Sequence, residues 1–155
     1  FLSLLHHPEL ARRIQQVGEH LRYGTGMPAE IIELAILVVA RHWNCQYEWH
    51  AHSRIARDKT ELPAAVIDAI AKGETPDAMN ADQAMTYRFC REVLHGGEAS
   101  DASFDAVVQR FGRPGALDLI ALCGYYSLLA MVLNTSRAEL PPGVPPPLAP
   151  LPGAA

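Results

Sequence analysis

The stretch Ile31-Ile32-Glu33-Leu34-Ala35-Ile36-Leu37-Val38-Val39-Ala40 is apolar on every side of a helical wheel and carries one ionisable side chain, Glu33. A helix of that kind has no face to offer water, so the rest of the chain must fold around it. Glu33 inside it must be neutralised, paired or hydrogen-bonded, because an isolated buried charge is too costly to keep. From this residue alone, an ion pair with Arg41 or Arg54 that only fixes packing and a catalytic role explain it equally well.

Helical periodicity continues on both sides, and no run of alternating β-branched residues persists long enough for a sheet. The expected fold is all-α, a single helical domain over residues 1–140. A first helix should run from Pro8 to about Leu21 and stop at the Gly24-Thr25-Gly26 turn, with Pro28 opening a second that reaches about Arg41. Asn44 is the expected N-cap of a third, Cys45 to about Arg57. Pro63 and Gly73 should bracket a short helix carrying Val66, Ile67 and Ile70. Asn80 opens one that ends near Gly96, Ser100 opens another that ends at Phe111-Gly112, and Pro114 starts a long apolar helix to Leu133. That apolar helix, interrupted by Gly124 and two tyrosines, falls short of the ~20 residues of a membrane span and reads as a core element. Residues 141–155 form a proline-rich arm, extended rather than helical, and better read as a surface tail or packing strap than as a recognition ligand.

Composition narrows the function. The net charge of −4, with 13 Lys and Arg spread thinly over 155 residues, provides no basic stripe for nucleic acid or anionic lipid. Three cysteines, at 45, 90 and 123, are odd in number and form no CxxC pair, which argues against a disulfide framework and for a reducing, cytoplasmic setting. The opening Phe1-Leu2-Ser3-Leu4-Leu5 lacks the basic start of a signal peptide and reads as a trimmed terminus.

The chemistry concentrates after the apolar helix. Cys45, Glu48, Trp49 and His52 fall at i, i+3, i+4 and i+7 and share one stripe. Cys45 at the first helical position would have its thiolate favoured by the helix dipole, and Glu48 in the same turn would be favoured as an anion. His52 can exchange a proton with Glu48 or Glu33 near neutral pH. Each residue singly has an ordinary structural explanation; their coincidence on one face makes Glu33, Cys45, Glu48 and His52 the candidate catalytic set. Metal binding is the weaker reading, since His50 and His52 point about 200° apart and Glu48-x-x-x-His52 supplies only two ligands. No metal or other cofactor is expected. Tyr125 and Tyr126, in the last apolar helix, are candidates for lining a pocket, because a buried phenol needs a partner for its hydroxyl.

The segment from Glu33 through Cys45 and Glu48 to His52 resembles the core of the carboxymuconolactone decarboxylase and alkylhydroperoxidase D-like family, and Leu62 to Gly73 and Phe111 to Asn134 resemble it too, so that the likeness spans roughly residues 28–148. The resemblance implies an all-helical fold of the alkylhydroperoxidase D-like type, assembled as homo-oligomeric trimers or hexamers, with the active site near a subunit contact. In the peroxidase branch of the family a CxxC pair does the redox work. Here Glu48 stands in place of the peroxide-attacking cysteine and Tyr47 where a histidine is common. In the decarboxylase branch a Glu-x3-His pair occupies this helix, and Glu48 with His52 matches it; Cys45 is then the departure.

The leading expectation is a cofactor-free lyase or isomerase that moves a proton on a small unsaturated carboxylate or lactone. His52 would donate the proton, Glu33 would orient and charge it, and Glu48 would act as a second base or positioning group. Arg41 would bind the substrate carboxylate, with Tyr47, Trp49, Tyr125 and Tyr126 lining the pocket. The alternatives are a single-cysteine peroxidase, in which Cys45 becomes a sulfenic acid resolved by an external thiol, and a non-catalytic oligomeric binding domain.

Overall fold

In the computed structural model, which describes residues 2–150, the periodicity resolves into six helices: α1 (Pro8–Glu19), α2 (Ala29–His42), α3 (Gln46–Lys59), α4 (Ala64–Lys72), α5 (Ala81–Gly96) and α6 (Asp101–Thr135). No strand occurs among the described residues. A short 3-10 turn precedes α1, and a wider π turn, His20–Gly24, prolongs it past the expected end.

Helix α2 is buried from Ile31 to Arg41, and α3, α4, α5 and α6 all pack against it. Its all-round apolarity is thereby satisfied. The surrounding helices begin and end where their side chains close the backbone. At the start of α5 the Asn80 carboxamide oxygen accepts from the Gln83 N–H at 2.9 Å while Gln83 accepts from the Asn80 N–H at 3.1 Å, a reciprocal capping box. Gly73 closes α4 with φ +77°, which lets the Glu74 N–H reach the Ala69 carbonyl. Glu92 of α5 accepts from the Ser100 N–H and the Ser103 hydroxyl, each at 2.8 Å, and so ties α5 to the first turn of α6.

Helix α6 is broken at Gly112, whose φ of 74° and ψ of 171° belong to a region essentially confined to glycine. The two helices expected from sequence are its two arms, with Pro114 beginning the second. By length and composition α6 would pass for a membrane span, but Leu119, Leu122, Cys123, Tyr126, Leu129 and Ala130 are buried in the protein core.

The corner between α2 and α3 differs from expectation. Asn44 is not the N-cap of α3: it lies in the left-handed region at φ +47°, and its side-chain oxygen accepts from Arg41. Cys45 takes the N-cap place and α3 begins at Gln46. The corner is held from outside. Trp43 donates to the Ser127 hydroxyl at 2.8 Å and accepts through its carbonyl from Asn134, which fixes it to α6. The proline-rich segment crosses it without regular structure, pairing Gln46 with the backbone N–H and carbonyl of Leu148 and burying the Leu148 side chain. The last residues of the expected arm, 151–155, and Phe1 lie outside the described residues.

Candidate active site

On α3, Glu48 and His52 stand one turn apart and face a cavity of about 430 Å³. Tyr47 and Ala51 of the same helix form part of its wall. Helix α6 contributes Tyr125, Tyr126, Leu129 and Leu133, and α1 with its π turn contributes Gln15, Gly18, Glu19, Arg22 and Tyr23. The Tyr125 ring of α6 lies against Gly18 of α1: a β-carbon there would collide with the Tyr125 hydroxyl, so a larger residue would displace that ring.

The apolar helix supplies the group behind the histidine. His52 Nδ1 donates to Glu33 Oε2 at 2.7 Å, and Arg22 Nη2 donates to Glu33 Oε1 at 3.3 Å. Glu33 is thus the shared acceptor of an Arg22–Glu33–His52 chain, buried at Glu33 and His52 and half-buried at Arg22, and its partner is neither Arg41 nor Arg54. A carboxylate bridging two such donors fixes the imidazole tautomer and plane and leaves Nε2 as the ring nitrogen available to a ligand. Tyr126 packs edge-to-face on the His52 ring at 5.2 Å between centroids, and Tyr125 packs in the same manner on Tyr126 at 5.1 Å. Burial raises the pKa of both phenols, so both stand in the cavity as neutral hydroxyls.

Glu48 is the group without a partner. Its side chain is 3% exposed and neither carboxyl oxygen meets a hydrogen-bond donor of the protein. Burial alone pushes its pKa up to about 8, so at neutral pH the group is held mainly as the acid. The expectation of an anion favoured by the helix N-terminus is overturned, because loss of water outweighs the dipole of the first turn.

Cys45 is likewise not the thiolate its position suggested. It is buried at the N-cap and borders a separate, smaller recess of about 270 Å³ with Asn134 and Arg137. Burial pushes its thiol up to about 11; the backbone N–H groups of Glu48 and Tyr47 pull it down, and the Glu48 charge adds to the rise. Two further expected site residues lie elsewhere. Trp49, one position past Glu48, turns into the hydrophobic core, and Arg41 is buried beside α4 and α5, where it lines a different cavity. Arg22 takes the place expected for a cation at the site. Its signal in the sequence was the spacing of Gln15, Gly18, Glu19 and Arg22 at i, i+3, i+4 and i+7, which continues one face of α1 into the π turn. Among the described residues no group of three or more His, Cys, Asp or Glu side chains converges as a metal-ligand set.

The family model described as the carboxymuconolactone decarboxylase family matches residues 8–87, which include Arg22, Glu33, Cys45, Glu48 and His52 but not the α6 tyrosines. Among solved structures, the chain is similar to an alkylhydroperoxidase AhpD core, an uncharacterized peroxidase-related protein from Ralstonia eutropha JMP134. The TM-score is 0.73 at 24% identity, with 87% of this chain and 72% of that chain covered. At that identity the likeness is one of fold. No curated protein matches.

Proposed function

Since the chain belongs to the carboxymuconolactone decarboxylase family, we propose that it is an acid–base enzyme that moves a proton on a small unsaturated carboxylate or lactone, either with loss of carbon dioxide or as an isomerisation. The observation that carries this reading is the unpartnered, proton-holding Glu48 carboxyl beside a histidine whose other nitrogen is already fixed. A structural glutamate would be paired; one kept neutral in an apolar wall serves as a hydrogen-bond or proton donor.

In a decarboxylation the bond between the carboxylate and its neighbouring carbon breaks, carbon dioxide leaves, and the electron pair stays behind as a dienolate. Glu48 would donate a hydrogen bond to the developing enolate oxygen, and His52, carrying a solvent-derived proton on Nε2, would deliver it to carbon while Glu33 holds the opposite nitrogen. Arg22, at the cavity wall, is the cation placed to meet a substrate carboxylate. Tyr125, Tyr126 and Leu129 give the mainly apolar surroundings in which a departing carboxylate is least solvated. The single-cysteine peroxidase reading has weaker support, because a buried thiol raised to about 11 is a poor nucleophile at neutral pH.

A panel of small lactones and unsaturated carboxylates incubated in D2O tests the reading. Turnover should place one solvent deuteron on substrate carbon, and Glu48→Gln and His52→Ala should each lower kcat by about 100-fold or more. Undiminished turnover in both variants would remove the proposal.

A further inference from the structure

A second cavity, of about 340 Å³, lies between the C-terminal end of α2, the end of α4 and the last turns of α5, and shares no lining residue with the first. Its charged wall is Arg41 and Arg91, with His42 and His95 beside them and Glu74 as the one carboxylate. In a chain of net charge −4 this is a local reversal of sign. We propose that this cavity binds a small oxyanion, a carboxylate or phosphate group, in the fork of Arg41.

Arg41 is 6% exposed, and only one side of its guanidinium is used by the protein. Nη1 donates to Asn44 Oδ1 and to the Ala149 carbonyl, both at 2.8 Å, while Nε is buried with no acceptor. The unused edge faces Gly73 at the cavity wall, where a β-carbon would stand 3.6 Å from Nη2 and 3.8 Å from Nε. The parallel N–H groups of that edge form the two-pronged donor that carboxylates and phosphates accept in bidentate fashion. A buried charged donor left without an acceptor is destabilising, and a bound oxyanion would relieve that penalty.

The neighbours are arranged to help. Arg91 stacks over the Tyr87 ring at 5.8 Å, and no carboxylate among the described residues lies within ion-pair distance of it or of Arg41. His95 Nδ1 donates to the Arg91 carbonyl at 2.9 Å, which fixes its ring, and the His42 ring packs against it at 4.9 Å between centroids. Glu74 is exposed to water, so its repulsion is screened.

The test is an NMR titration of the full chain with sodium phosphate and, separately, sodium acetate, with ionic strength held by sodium chloride. It follows the Arg41 Nε–H and the imidazoles of His42 and His95. A saturable shift of these signals is expected with one or both anions, weakened about tenfold in Arg91→Gln. Saturation by phosphate alone identifies a phosphate site and by acetate alone a carboxylate site; both support the proposal. Arg41→Lys, which keeps the charge and loses the fork, should weaken binding as well; if it does not fold, Arg91→Gln decides. Linear or absent shifts with both anions, binding unchanged in Arg91→Gln, or shifts confined to Tyr125 and Tyr126 of the first cavity would overturn it.

Discussion

Glu48 links the site to the stability of the fold. Its carboxyl holds its proton to about pH 8 in the folded chain against an ordinary value of 4.5. Below pH 4.5 both folded and unfolded chains carry the proton. Between there and about pH 8 the unfolded chain releases it and the folded chain does not, so stability falls as pH rises; above pH 8 the penalty is constant. Glu48→Gln, which keeps the shape and removes the titration, should therefore stabilise the protein at pH 7 by on the order of 3 kcal/mol and change it little near pH 4. Thermal melts at the two pH values check this; an equal shift in Tm at both would contradict it. Sequence reading placed Glu48 and His52 correctly on one face because an i, i+4 pair depends only on helical geometry. It mistook the state of Cys45 and Glu48 because protonation depends on how much water the surrounding helices exclude, and no spacing encodes that.

At the scale of elements, α6 has two faces of opposite use. One packs Leu119, Leu122 and Tyr126 into the core; the other exposes Leu117, Ile120, Leu128 and Met131, with Gly124 between them and open space where its β-carbon would be. An uninterrupted apolar stripe along a helix marks an interaction surface, and we propose that copies of the chain meet there. Leu117, 64% exposed, is the residue to change. Leu117→Asp should reduce the mass measured by sedimentation from an oligomer to a monomer with helicity unchanged; a parent protein that is monomeric, or a variant of unaltered mass, would refute the assignment. The course of α6 was largely legible, since Gly112 and Pro114 punctuate it locally. The α2–α3 corner was not: a plain capping rule favoured Asn44, whereas its bond from Arg41 holds it in the left-handed region and moves the cap on by one residue. That slip is what put Cys45 at a helical position in expectation.

Across the whole molecule, the buried centre was evident from α2 alone, while the cavity was only half legible. Its α3 wall follows from periodicity. Its opposite wall comes from α1 and from the second arm of α6, and the contact that completes the Glu33–His52 pair reaches back to Arg22 in the turn after α1. A pairing of that kind is tertiary, since it joins the turn after α1 to the buried helix α2. Trp49 and Arg41 were assigned to the site for their chemistry and belong to its surroundings, one in the core and one in the second cavity. What the helices accomplish together is to hold a carboxyl group dry and unpaired beside an oriented imidazole. The most direct test is to follow the side-chain carboxyl carbon of Glu48 by NMR through a pH titration of the intact protein. A midpoint near pH 8 is expected; a midpoint near the ordinary value of 4.5 would show Glu48 ionised at neutral pH and contradict a proton-holding carboxyl at this site.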